Sequence, residues 1–300
     1  MVSERLDLLD PFEVAQLGGI ELTTLGVVEG FLSGLHRSPF RGFSAEFTEH
    51  RPYQPGDELR YLDWRAYARG DRLAVKQFEA ETNLRAMVVL DASASMAWSG
   101  SSRRLTKLAY AQRLVAALGL VLLRQRDATG VIAFDDVVRA VLPARARSIQ
   151  RWALLRTLAA VEPGLGTAAE PALRRVTDLL QRRGLVVFVS DLLFDRDLAL
   201  LALRFLRHRG HQVLVFHVMD PAELELEGPP EVRFEDPETG TGVVVRPREF
   251  RVAYREAVRR SVDAWRGACR RSGISYQHVR TDTPFGHVLR RAAERRARLG

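Results

Sequence analysis

One stretch constrains this chain more than any other: Val88-Val89-Leu90-Asp91-Ala92-Ser93-Ala94-Ser95-Met96, an apolar run that ends in a carboxylate followed by two hydroxyls at alternate positions. A continuous apolar run of this length reads as a buried strand of a parallel sheet, covered on both faces. Ligands of open α/β sheets sit just past the carboxyl ends of such strands. Asp91, Ser93 and Ser95 therefore fall where a site belongs. Alternate residues of an extended loop project to one side, so three oxygen side chains can converge. An all-oxygen set without thiol or imidazole suits a hard cation such as Mg2+.

Short Asp/Ser stretches after strands also serve as helix N-caps and turns. Two later segments shift the balance towards a site. Leu185-Val186-Val187-Phe188-Val189-Ser190-Asp191 is a second apolar strand ending in a carboxylate, and Gly164-Leu165-Gly166-Thr167 puts a hydroxyl in a loop just before a helical pattern. A third oxygen-bearing loop is thus available.

The set Asp91-x-Ser93-x-Ser95, then Thr167, then Asp191 resembles, in chain order, the metal-ion-dependent adhesion site of von Willebrand factor A domains. The resemblance implies a divalent cation, Mg2+ with Mn2+ or Ca2+ as alternatives. It makes Ser93, Ser95 and Thr167 direct ligands, and Asp91 and Asp191 ligands either direct or through water. One departure is Leu192 after Asp191, where a glycine is frequent in that site.

A second resemblance covers the N-terminal part. His36-Arg37-Ser38-Pro39-Phe40-Arg41-Gly42, then Arg51-Pro52-Tyr53-Gln54-Pro55-Gly56-Asp57-Glu58-Leu59-Arg60-Tyr61-Leu62-Asp63-Trp64-Arg65, then Ala68-Arg69 resembles the bacterial domain of unknown function family 58. Asp236-Pro237-Glu238-Thr239-Gly240 and Thr281-Asp282-Thr283-Pro284 fit the same family, so the resemblance spans nearly the whole chain. It implies a von Willebrand A-like core and, as partner, a MoxR-type AAA+ ATPase, with this chain as adaptor or co-chaperone.

Composition agrees with a globular protein. With 300 residues and 46% hydrophobic content, the chain can bury one large core or two modest ones. The apolar stretch from Leu114 to Leu123 is bounded by Arg113 and Arg124 and falls short of the roughly 20 residues a membrane-spanning helix needs. Met1-Val2-Ser3-Glu4-Arg5 leads into no uninterrupted apolar core with a cleavage site, so a cytoplasmic location is expected. The single Cys269 rules out an internal disulfide and fits a reducing compartment. The net charge of +8 invites a nucleic-acid reading, but the basic residues are spread along helices and no zinc-finger spacing or RNP-type aromatic strand is present. All but Lys76 and Lys107 of the 45 basic residues are arginines. A solvated or partner-facing basic surface is the simpler account.

Two regions are expected: a β-rich N-terminal part over 1–82 and a von Willebrand A-like domain over 83–300. In the first, Pro11 to Leu17 reads as a short helix and Pro55-Gly56-Asp57 as a turn. Arg51, Asp57, Arg60, Asp63 and Arg65, interleaved with Tyr53, Tyr61 and Trp64, form either a binding face or an internal ion-pair lattice; bidentate pairing favours the lattice. In the second, strands are expected near 85–90, 129–134, 137–142, 185–190, 212–218 and 274–279. Helices are expected near 103–125, 148–160, 168–182, 197–208, 249–271 and 288–299. The close pair around Asp135-Asp136 reads as a hairpin, giving one antiparallel edge on an otherwise parallel, doubly wound α/β sheet. Phe234 through Val245 reads as a second hairpin. In such a sheet the strand order reverses between the strands ending at Asp91 and Asp191, which brings the oxygens to one crevice.

Catalytic patterns are thin. Ser93 stands where an aspartyl phosphatase would place its second carboxylate, Ala92-Ser93-Ala94-Ser95-Met96 lacks the glycines of a hydrolase elbow, and no Walker loop is present. The expected role is a non-enzymatic module that binds a divalent cation and through it an acidic protein ligand. The alternative is a metal-dependent phosphodiesterase or nuclease acting on an acidic substrate.

Overall fold

The computed structural model describes residues 45–53, 63, 64, 67, 73–80, 84–147, 149–164, 169–226, 231–235 and 242–297. The short helix over Pro11 to Leu17, the His36 to Gly42 motif, the Pro55-Gly56-Asp57 turn, Arg60, Arg65 and Thr167 lie outside them. The chain divides into two compact units, with the break before Leu84.

In the smaller unit, β1 (Ala45–Pro52) pairs antiparallel with β2 (Ala74–Ala80), and the register shifts between Phe47 and Glu49. Tyr53 N extends the pairing by donating to Leu73 O. Asp63, the expected centre of the ion-pair lattice, is buried, whereas Trp64 is exposed and meets Tyr67 edge to face.

In the larger unit the strands are β3 (Arg85–Asp91), β4 (Ala128–Phe134), β5 (Val138–Arg145), β6 (Leu185–Ser190), β7 (Gln212–Met219) and β10 (Ser275–Arg280). They form one sheet in the order β10-β7-β6-β3-β4-β5. All pairings are parallel except β4 with β5, the expected antiparallel edge hairpin. A separate antiparallel hairpin joins β8 (Val232–Glu235) to β9 (Gly242–Val245), as expected.

Side chains alternate between the faces of a strand, so β3 feeds two cores. Ala86, Val88 and Leu90 face α1 (Lys107–Arg124), α2 (Gln150–Ala159) and α7 (Phe285–Ala297) through Leu114, Leu118, Leu154 and Phe285. Met87 and Val89 face α3 (Ala169–Leu179), α4 (Arg196–His208) and α6 (Pro247–Arg271) through Val176, Leu203, Trp265 and Cys269. Both faces are covered, which is why the strand is apolar at every position from Ala86 to Leu90. A short helix, α5 (Pro221–Glu225), follows β7 directly; Asp220 caps it, accepting from Ala222 N, while the Glu223 carboxylate accepts from Asp220 N. No helix of the described residues is long and apolar enough to cross a membrane.

Two positions give direct tests of this packing. A Cβ on Gly130 would stand 2.4 Å from Leu142 O and 2.6 Å from Ala144 N, both backbone atoms of the adjacent strand. Gly130→Ala should therefore lower unfolding free energy by about 1–3 kcal/mol, read by chemical denaturation; an unchanged midpoint would contradict the strand contact. Asp127, just before β4, is fully buried, accepts from Leu84 N through Oδ1, and leaves Oδ2 without a hydrogen-bond partner. Burial pushes its pKa up to about 7, opposed by the Leu84 hydrogen bond. The native state thus binds a proton that the unfolded chain releases near pH 4, so this residue's contribution to stability is lost as pH rises from about 4 towards 7 and above. Asp127→Asn should narrow the stability difference between pH 5 and pH 8. A difference as wide as in the parent would show that Asp127 stays ionised in the fold.

Candidate metal centre

Asp91 ends β3, and Leu90 pairs with Val189, the second residue before Asp191. Two carboxylates are thereby delivered to one point at the top of neighbouring parallel strands. Asp91 is 1% exposed and both its oxygens are engaged: Oδ1 accepts from Ser93 N at 2.9 Å and Oδ2 from Ser190 Oγ at 2.6 Å. Ser93 and Ser95 face each other, with their hydroxyl oxygens 3.2 Å apart. Ser95 is buried and Ser93 half-buried, so the pair sits at the rim of the site. The loop is pinned to its neighbours by Ala92, whose N donates to Phe134 O at 2.7 Å and whose O accepts from Gly164 N at 2.7 Å. Of the five residues expected to form the site, Asp91, Ser93, Ser95 and Asp191 come together; Thr167 lies outside the described residues.

The loop after β6 answers the question raised by Leu192. Its φ is +56°, in the left-handed region that glycine occupies at low cost. Leucine is retained there with its side chain in the apolar cluster against α3 and α4, 4% exposed. Its N donates to Ser190 Oγ at 2.8 Å, so one hydroxyl ties Asp91 to the turn that carries Asp191.

Sequence reasoning missed the cation already in place. Lys107, the first residue of α1, is 1% exposed, and its Nζ donates to Asp191 Oδ2 at 2.7 Å and to Glu223 Oε1 at 2.5 Å. Burial works against the ammonium; the Asp191 and Glu223 charges outweigh it and hold the Lys107 pKa above the usual lysine value. Burial also raises Glu223, with Lys107 pulling the other way. Around this group, Asp220 accepts from Thr281 Oγ1 at 3.1 Å and pairs with Arg104 at 3.4 Å. His217, which pairs with Ser190 on the next strand, is driven down to about 3, chiefly by burial, so it adds no charge at neutral pH. One signal was available: Lys107 is one of two lysines in a chain of 45 basic residues.

Burial, and after it the Asp191 charge, pushes Asp91 up to about 7. A buried carboxylate raised by its neighbour marks a place short of positive charge. Two hydroxyls beside it are the oxygen donors a hard divalent cation takes. The residues present fit such an ion. Among the described residues no three His, Cys, Asp or Glu side chains gather in metal-binding geometry, so a cation held here would need the serines as much as the carboxylates.

The sequence profile of the protein family of unknown function DUF58 matches residues 49–264. The chain belongs to the DUF58 family. An uncharacterized protein of Mycobacterium tuberculosis is 31% identical over 308 residues, covering 97% of this chain and 92% of the relative. Among solved structures, a von Willebrand factor type A protein from Catenulispora acidiphila is similar over 74% of this chain and 44% of its own, at 11% identity and a TM-score of 0.39. An aerotolerance-related membrane protein from Bacteroides fragilis is similar over 72% of this chain and 100% of its own, at 19% identity and a TM-score of 0.42. The fold of this DUF58 protein is α/β with a mostly parallel six-stranded sheet. The expected cytoplasmic location is corrected by the second neighbour, which is described as a membrane protein. Short apolar stretches describe the helices of a chain, and they assign no compartment.

The left-handed turn makes a sharp prediction. Left-handed backbone costs a non-glycine residue about 1–2 kcal/mol, while a buried leucine truncated to alanine costs about 2–5 kcal/mol, so packing decides in favour of leucine. Leu192→Gly loses the packing and relieves the backbone; Leu192→Ala loses the packing and keeps the strain. Both should melt below the parent, with the alanine variant the lower of the two. The reverse order would place Leu192 outside the left-handed region.

Proposed function

We propose that this DUF58 protein is a non-enzymatic protein-interaction module that works through a divalent cation. The observation that carries this reading is the meeting of Asp91, Ser93, Ser95 and Asp191 past the ends of adjacent strands β3 and β6. Ser93 and Ser95 would hold the ion directly, with Thr167 expected to join them and the two aspartates to act directly or through water. When bound, Mg2+ offers coordination positions that an anionic oxygen from outside can fill.

Asp91 supports a holding role rather than an attacking one. Both of its oxygens accept hydrogen bonds from the loops they organise, which fixes the carboxylate in place. The net charge of +8 favours approach of an acidic protein ligand at low salt. The partner we propose is a MoxR-type AAA+ ATPase, the partner implied by the family motifs, with this chain as adaptor or co-chaperone.

Mg2+ or Mn2+ at millimolar concentration should raise the melting temperature, because the ligands come from separate loops and exist together only in the fold; at a hundred times its dissociation constant the ion adds about 2.7 kcal/mol. Ser93→Ala combined with Ser95→Ala should remove that shift. Capture of the ATPase should fall with EDTA and in the same variant while circular dichroism stays unchanged. Undiminished capture under both treatments would exclude a cation-mediated contact. Hydrolysis of a generic phosphodiester by the purified protein, lost in Asp91→Ala, would replace this reading with a metal-dependent phosphodiesterase.

A further inference from the structure

We infer that Lys107 is an internal counter-cation of the site, a positioning residue that holds Asp191 and Glu223 in the ion-free state and keeps affinity for a divalent cation low. This rests on the metal-binding reading above and extends it to the residue that tunes the site.

The geometry is specific. One buried ammonium bridges a carboxylate of the expected metal site, Asp191 on the turn after β6, and a carboxylate outside it, Glu223 in the capping box of α5. Asp191 Oδ2 accepts from Lys107, and Oδ1 accepts from Leu193 N at 3.2 Å, so this carboxylate is fixed without any metal. The ammonium has little freedom to leave. Trp98 O accepts from the Lys107 backbone N at 3.1 Å, the Trp98 ring lies 6.0 Å from Nζ, and α1 fixes the backbone behind it.

Charge arithmetic gives the consequence. Asp91, Asp191 and Glu223 in their ionised forms carry three negative charges, and Lys107 cancels one of them. A divalent ion arriving near Asp191 meets a positive charge that shares its carboxylate, and like charges a few ångströms apart in a buried setting oppose each other strongly. With Lys107 in place the cluster offers the ion one negative charge fewer than its carboxylates alone would, and Asp191 is already committed to the ammonium.

Calorimetric titration of Mg2+ and Mn2+ into the full chain tests this with the parent, Lys107→Met, Lys107→Arg and the double variant Lys107→Met with Glu223→Gln, all checked for fold by circular dichroism. Lys107→Met keeps the length of the side chain and removes its charge, and it should bind the ion at least tenfold more tightly than the parent. Lys107→Arg should restore the weak binding. The double variant removes both ends of the Lys107–Glu223 pair; if the single variant does not fold, tighter binding in this one carries the test. A purely structural lysine predicts equal or weaker binding on its loss, and that result in the folded variants would overturn the inference while leaving metal binding by the parent intact. A parent that binds no ion beside a Lys107→Met variant that does would keep the inference and revise the proposed function. Failure of every variant to bind would overturn both.

Discussion

Everything at the top of this sheet answers one electrostatic problem: Asp91 and Asp191 end adjacent strands, both are nearly inaccessible to water, and their charges repel. Burying one carboxylate is costly, and burying two side by side is worse unless something opposes them. The fold opposes them with hydrogen bonds and with one cation. Ser190 and the Ser93 amide hold Asp91, while Lys107 and the Leu193 amide hold Asp191. The parallel pairing of β3 with β6 creates the problem and the site together, because the carboxyl ends of neighbouring parallel strands lie at the same edge.

The same constraint reaches outward through α5. Glu223 accepts from Lys107 with one oxygen and from Asp220 N with the other. Asp220, fully buried, in turn caps α5, pairs with Arg104 and accepts from Thr281 just after β10. Strands β6, β7 and β10 are therefore linked above the sheet by polar contacts, much as their apolar residues are linked within it. A perturbation at Asp191 has a continuous chain of contacts to follow to Thr281, just after β10. The link is physical adjacency, and its energetic weight is for double-mutant cycles to measure.

The elements whose signal is local were legible in the sequence. The strand over 185–190 is found where its apolar run places it, because a segment covered on both faces allows no other pattern. The hairpin at Asp135-Asp136 and the reversal of strand order between β3 and β6 follow from turn chemistry and alternating elements. Helix ends were less legible: α1 begins at Lys107 rather than near 103 because the Thr106 hydroxyl accepts from Ala109 N and caps it. The polar partners of the site were not legible. Lys107 lies 84 residues from Asp191 and 116 from Glu223, and no periodicity ties residues at such separations. Ser190 was passed over as the end of a strand, though its hydroxyl joins both loops.

Lys107 is also poorly placed by local rules, which is why its position is informative. It opens α1, where the exposed amide groups of a helix carry partial positive charge and where Asp or Glu is favoured over a cation. It is buried, which costs an ammonium its hydration. It is a lysine where nearly every other basic residue of the chain is arginine. A planar guanidinium would present a wide fork, whereas a compact ammonium can donate at short range to two carboxylates arriving from different directions. Two penalties at one residue are tolerated only where a tertiary contact outweighs them, and conflicts of that kind between local preference and global structure concentrate at functional sites.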